Sequence, residues 1–98
     1  MNSQDNMLSN ETTIIANKGF SILDTMFKEK GWYLIKNQPN WICYSKIGDE
    51  TSRFDIKILP DKIVVSVPIK NSCYQYITSF KSYYEASEYV EQRFLDYI

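Results

Sequence analysis

The sequence contains no histidine. That removes the commonest general base, the Ser-His and Cys-His nucleophile pairs, and most zinc ligand sets. Glycine occurs three times, too few and too scattered for a G-x-x-x-x-G-K-[ST] or G-x-G-x-x-G phosphate loop. No apolar run reaches the roughly 18 residues that a membrane span needs. The N-terminal stretch MNSQDNMLSN has neither a basic n-region nor an apolar h-region, so a secretory signal is not expected. Neither sign of charge dominates: 11 basic residues face 12 acidic ones, for a net charge of −1. A strongly basic nucleic-acid domain and an acidic solvating tail are therefore both excluded as the whole account. The two cysteines, Cys43 and Cys73, are sparse for the disulfide framework of a small secreted domain. They read as two reduced thiols in an intracellular, cytoplasmic protein, packed as small apolar groups, with pairing left open. Without histidine, two thiols are too few for a zinc site.

What is present is the composition of one globular domain. Of 98 residues, 44% are hydrophobic and 23% charged, enough for a single core and typical of soluble folds. Isoleucine, lysine, tyrosine, asparagine, phenylalanine and methionine are favoured, and lysine outnumbers arginine nine to two. These residues have AT-rich codons, so the lysine excess need not reflect a ligand.

Residues 1–13 are polar and aperiodic and read as a disordered arm, with residues 14–98 as a single domain. Ile14 and Ile15 begin the ordered part in this reading, and Asn17-Lys18-Gly19 reads as a turn. A short helix is expected over 21–30, opened by Ser21, with Asp24 near its positive end and Ile22, Leu23, Met26 and Phe27 as its apolar stripe. Gly31 suits the left-handed position after it. The period then switches to two. Strands are expected at 32–36, 41–47, 52–59, 62–69 and 74–80, separated by turns rich in Asn, Pro, Gly and Asp. Phe54, Ile56 and Ile58 should face one way and Arg53, Asp55 and Lys57 the other. Ile63, Val65, Val67 and Ile69 should face inward. Pro68 cannot donate to a ladder, so the far end of its strand should lie at an edge or leave the sheet. Ser82-Tyr83-Tyr84-Glu85 fits a capping box. Tyr83, Ala86, Val90, Phe94 and Tyr97 then make one stripe of a C-terminal helix. The order α-β-β-β-β-β-α with short turns predicts a two-layer α+β fold, an antiparallel meander of four to five strands with a helix packed on one face.

Chemistry is thinly represented. Asp49 and Glu50 share a turn, and Asp55 lies between Arg53 and Lys57 on a solvated face, so neither pair reads as a general acid–base couple. The acidic residues are dispersed rather than clustered at metal-ligand spacing. No catalytic residue, cofactor or metal is expected. The aromatic residues carry more information. Trp32, Tyr33, Trp41, Tyr44, Phe54, Tyr74 and Tyr76 all fall on expected strands. A sheet can stack unpaired bases on exposed aromatics, with lysine and arginine on phosphates, or bury the same rings beneath a helix. Residues 53–81 carry Arg53, Lys57, Lys62, Lys70 and Lys81 against Asp55 and Asp61, a local +3. Residues 82–98 carry Glu85, Glu88, Glu91 and Asp96 against Arg93, a local −3. An open meander also leaves edge strands that pair with another chain unless the arm or the helix covers them.

The phrase VSVPIKNSCYQYITSFKSYYEASEYVEQRFLDY, with Val65, Pro68, Tyr76, Phe80, Ala86 and Tyr89 at its centre, resembles a segment of small uncharacterised proteins of large, AT-rich DNA viruses. The resemblance spans roughly residues 30–98. It implies an intracellular viral accessory protein and supplies no site residues. The sequence thus points to a non-enzymatic protein-interaction or self-association module acting through a sheet face, an edge strand or the acidic helix. The alternative is a single-stranded nucleic-acid binder. A small-ligand pocket between Trp32 and Trp41 is a third reading. The candidate surface is Trp32, Trp41, Tyr44, Lys46, Arg53, Lys57 and Lys62, with no role in a membrane.

Overall fold

The computed structural model describes residues 20–98; the arm expected at 1–13, Ile14, Ile15 and the turn at 17–19 lie outside the described residues. The elements are α1 (Ser21–Glu29), β1 (Trp32–Gln38), β2 (Trp41–Lys46), β3 (Asp49–Ile58), β4 (Ile63–Pro68), β5 (Gln75–Phe80) and α2 (Tyr83–Tyr97). The strands form one antiparallel sheet in sequential order, as the short turns require. α1 and α2 share a single core with one sheet face, which gives the expected two-layer α+β architecture.

Each helix is positioned by a few residues. α1 begins after Phe20 rather than at an N-capping Ser21, and it buries Leu23 and Phe27 while Ile22 points to solvent. A nine-residue helix is too short to stand alone, so these two side chains hold it. Gly31 takes φ +83° just beyond it, a conformation that glycine adopts without penalty. α2 opens at Ser82 as expected, with the hydroxyl half of the expected capping box formed. The Ser82 hydroxyl accepts hydrogen bonds from the Tyr84 and Glu85 amides at 3.1 and 3.3 Å. Ala86, Val90 and Phe94 are fully buried, and Tyr83 and Tyr97 pack at the margin of the core.

The core is aromatic. The Phe27 ring stacks on Tyr44 at 4.3 Å and contacts Phe94 at 4.2 Å, Phe54 at 5.2 Å and Trp32 at 5.8 Å. One α1 side chain thus meets rings from β1, β2, β3 and α2, where tilted and edge-on geometry adds to simple burial. The Tyr44 hydroxyl donates to the Asp24 carboxylate, which also pairs with Lys28 at 2.9 Å. That bond ties α1 to β2.

β1 and β3 run longer than the alternation implies, because their turns are tighter, while β2, β4 and β5 are each trimmed by a residue at one or both ends. Gln38 pairs with Trp41 across a two-residue turn, and Gly48, at φ +85°, lets Lys46 pair with Asp49. β1 carries an irregularity between Leu34 and Lys36, where the register with β2 shifts. Pro68 acts as expected, though β4 is an inner strand. The β3–β4 ladder ends at Asp55–Ser66, while the β4–β5 ladder continues to Pro68–Gln75. The missing N–H of Pro68 falls on the side where β3 has already been left behind.

Candidate interaction surface

Strand alternation divides the candidate residues between two faces. Tyr44 pairs with Leu34 and Phe54 on the helix-covered face, and Trp32 lies in the same aromatic core. Both are buried, so neither is part of a surface, contrary to the sequence reading. The reason is physical: a small core needs large rings to fill it, and Asp24 satisfies the one polar atom that Tyr44 takes inside. Trp41 is three positions from Tyr44 and therefore faces the other way. A pocket shared by Trp32 and Trp41 does not form, because the sheet lies between them.

The sheet face away from the helices brings Trp41, Arg53 and Lys57 together, around an Asp55 that is buried rather than solvated as the sequence reading had it, because the indole and guanidinium cover it. Lys36 and Lys57 place their ammonium groups 5.1 and 4.7 Å from the centre of the Trp41 ring, within cation–π range. The Trp41 indole N–H donates to Asp55 Oδ1 at 2.7 Å, and the Arg53 guanidinium lies 3.9 Å from the same carboxylate oxygen. Asp55 thus holds the indole in place and offsets part of the positive charge around it. Cys43 and Ser45, small side chains of the same face, are fully buried. Burial pushes the Cys43 thiol up to about 12, with Asp55 adding to the rise and Arg53 opposing it. A thiol held protonated is a poor nucleophile. Cys73, by contrast, is exposed, so only one of the two free thiols packs as a small apolar group.

Lys46 is exposed at the end of the sheet far from Trp41, and Lys62 is exposed at the Trp41 end, two strands over beyond the β3–β4 turn. Lys46 instead joins Lys30 and Lys70 around a cleft of about 540 Å³. The floor of that cleft is polar and already partnered. The Asp49 carboxylate accepts from the hydroxyls of Thr51 at 2.6 Å and Ser52 at 2.9 Å, and Ser52 shares a 2.6 Å hydrogen bond with Tyr97. Those hydroxyls, with Lys46 nearby, hold the Asp49 carboxyl below its ordinary range, so an anion there sits beside the three lysines. Among the described residues, no three cysteine, aspartate or glutamate side chains converge as metal ligands, and no helix is long and apolar enough to cross a membrane.

The feature that the candidate set left out is the free edge of β5. Among the described residues, this strand pairs with β4 on one side only. Tyr74, just before it, and Tyr76 and Ile77 within it are 73, 64 and 71% exposed. From Gln75 to Phe80 there is no charge, no proline and no register shift. The Ile69 amide donates to the Tyr74 carbonyl, which fixes the ladder phase: Tyr76, Thr78 and Phe80 turn their backbone groups toward β4. Gln75, Ile77 and Ser79 therefore direct theirs outward. The signal was present in the sequence, since the last strand of a meander is an edge and this one carries no charge, but only the sheet order identifies it. Comparison of the chain with protein-family models, with curated proteins and with solved structures finds no match.

Proposed function

We propose that this protein is a small non-enzymatic interaction module that takes a strand of a protein partner along the free edge of β5. The observation that carries this reading is the uncharged edge itself, with outward N–H and C=O groups on alternate residues and exposed apolar side chains on both faces. Native sheets usually blunt such an edge with charge, proline or a bulge, and an edge left open is a template for strand addition. The resemblance to small proteins of large DNA viruses supports an accessory role, one in which a short chain acts by binding.

The nucleic-acid reading rests on Trp41 between two lysines. It is the weaker one, because stacking platforms use successive aromatics and the other two candidate rings are inside. Affinity capture from the cells that make the protein, with and without nuclease, tests both readings. The discriminating variant is Ile77→Pro, which removes an outward N–H and none of the N–H donors to β4, at the cost of fixing φ at this edge position. Nuclease-resistant protein partners that are lost with Ile77→Pro are the expected result. Partners retained by that variant would refute the edge reading. Capture abolished by nuclease would favour nucleic acid instead.

A further inference from the structure

We infer that the strand received by β5 is the β5 of a second copy of this chain, paired antiparallel about a two-fold axis at Ile77. The inference rests on the edge reading above and names the partner. An antiparallel pair keeps each side chain on its own face, so a symmetric register must centre on a residue, at either a bonded or a non-bonded pair. Centring on Ile77, whose backbone groups point outward, sets the uncharged run 74–80 against itself, whereas centring on Thr78 would bring Lys81 opposite Gln75 and centring on Tyr76 would carry the pairing into the turn before β5. With Ile77 opposite itself, Gln75 meets Ser79, and on the helix side Tyr76 meets Thr78 and Tyr74 meets Phe80. The exposed apolar side chains thereby cover one another, and no charged residue of either strand enters the ladder.

Charge complementarity beside the strand favours the same arrangement. Over the Phe80 end of β5, α2 presents Glu85, Glu88 and Glu91, with Lys81 as the single basic neighbour directly after the strand. Over the Tyr76 end lie Arg93 and Lys70, with Asp96 as the single acidic neighbour. The two-fold axis sets the acidic end of one copy against the basic end of the other, on both sides of the junction. A parallel pairing would set like against like.

The test uses the full chain alone in solution. Sedimentation equilibrium from micromolar to millimolar concentration should show a reversible dimer that weakens with added salt. Ile77→Lys, which brings two ammonium groups together at the axis without touching the bonds to β4, should remain folded by circular dichroism and run as a monomer. The register is read by mild oxidation in a Cys73→Ser background. Ile77→Cys should give a disulfide-linked dimer, because opposed Cα atoms in a bonded pair lie about 5.5 Å apart, while Ser79→Cys, which faces Gln75, should not. A chain that stays monomeric to millimolar concentration, or equal cross-linking at both positions, would overturn the self-pairing. A monomer whose captured partners are still lost with Ile77→Pro would overturn the self-pairing alone and leave the interaction-module reading standing.

Discussion

At the scale of single residues, Phe94 shows how little redundancy the core has. Its ring meets Phe27 at 4.2 Å, Trp32 at 5.3 Å and Phe54 at 5.6 Å, so truncation removes contacts to α1, β1 and β3 together. Phe94→Ala is expected to cost about 3–5 kcal/mol, a large part of what a domain of this size has to spare. Urea unfolding followed by circular dichroism measures it, and a loss under 1 kcal/mol would show that α2 does not anchor the core. The helical spacing of Phe94 made its burial readable. Tyr44 was not readable in the same way. A tyrosine on an expected strand has no sign of its own for in or out, and only the partner supplied by Asp24, twenty positions earlier, makes the inside acceptable.

At the scale of elements, caps and alternation carried most of the information. Ser82 is the clearest case, since the hydroxyl, the helix start and the apolar stripe all agree. Ser82→Ala should cost about 1 kcal/mol, and Ser82→Asp should restore most of it, because either side chain can accept from the first-turn amides. Thermal melts of the three proteins compare them directly, and an unchanged melting temperature for Ser82→Ala would mean that packing alone sets the start of α2. α1 was less legible at its boundary. Ser21 resembles a cap, yet Phe20 occupies the N-cap position and its side chain is buried. Tertiary burial outweighed local capping there. The extra length of β1 and β3 was hidden for a similar reason, since Asn37-Gln38 and Asp49-Glu50 have turn chemistry but lie in ladders closed by two-residue turns.

At the scale of the whole molecule, stability should depend on alkaline pH through two neighbouring side chains. Cys43 and Tyr44 have ordinary values of 9.0 and 10.0, and burial raises both in the folded chain, with the Asp24 carboxylate adding to the rise at Tyr44. Below pH 9 both are protonated in either state and their contribution is constant. Above it the unfolded chain releases protons that the folded chain keeps, so stability falls, at up to about 1.4 kcal/mol per pH unit for each group. Urea midpoints should hold from pH 7 to 8.5 and drop between pH 9 and 11, with Cys43→Ser removing the earlier part of the drop. A level midpoint through pH 11 would contradict it. The fold class was legible because periodicity and turns are local properties. The surface was only half legible. Alternation separates Trp41 from Tyr44, but which face the helices cover, and which edge stays open, depends on contacts between distant segments. The irregularity between Leu34 and Lys36 then has a consequence for assembly. Head-to-tail addition of β5 to the opposite edge would generate an open filament, but a kinked strand is a poor template for continuing a ladder. Under the self-pairing proposed above, with one regular edge among the described residues, growth would close at a finite, point-symmetric pair, and the molecule would present an adhesive strand without polymerising.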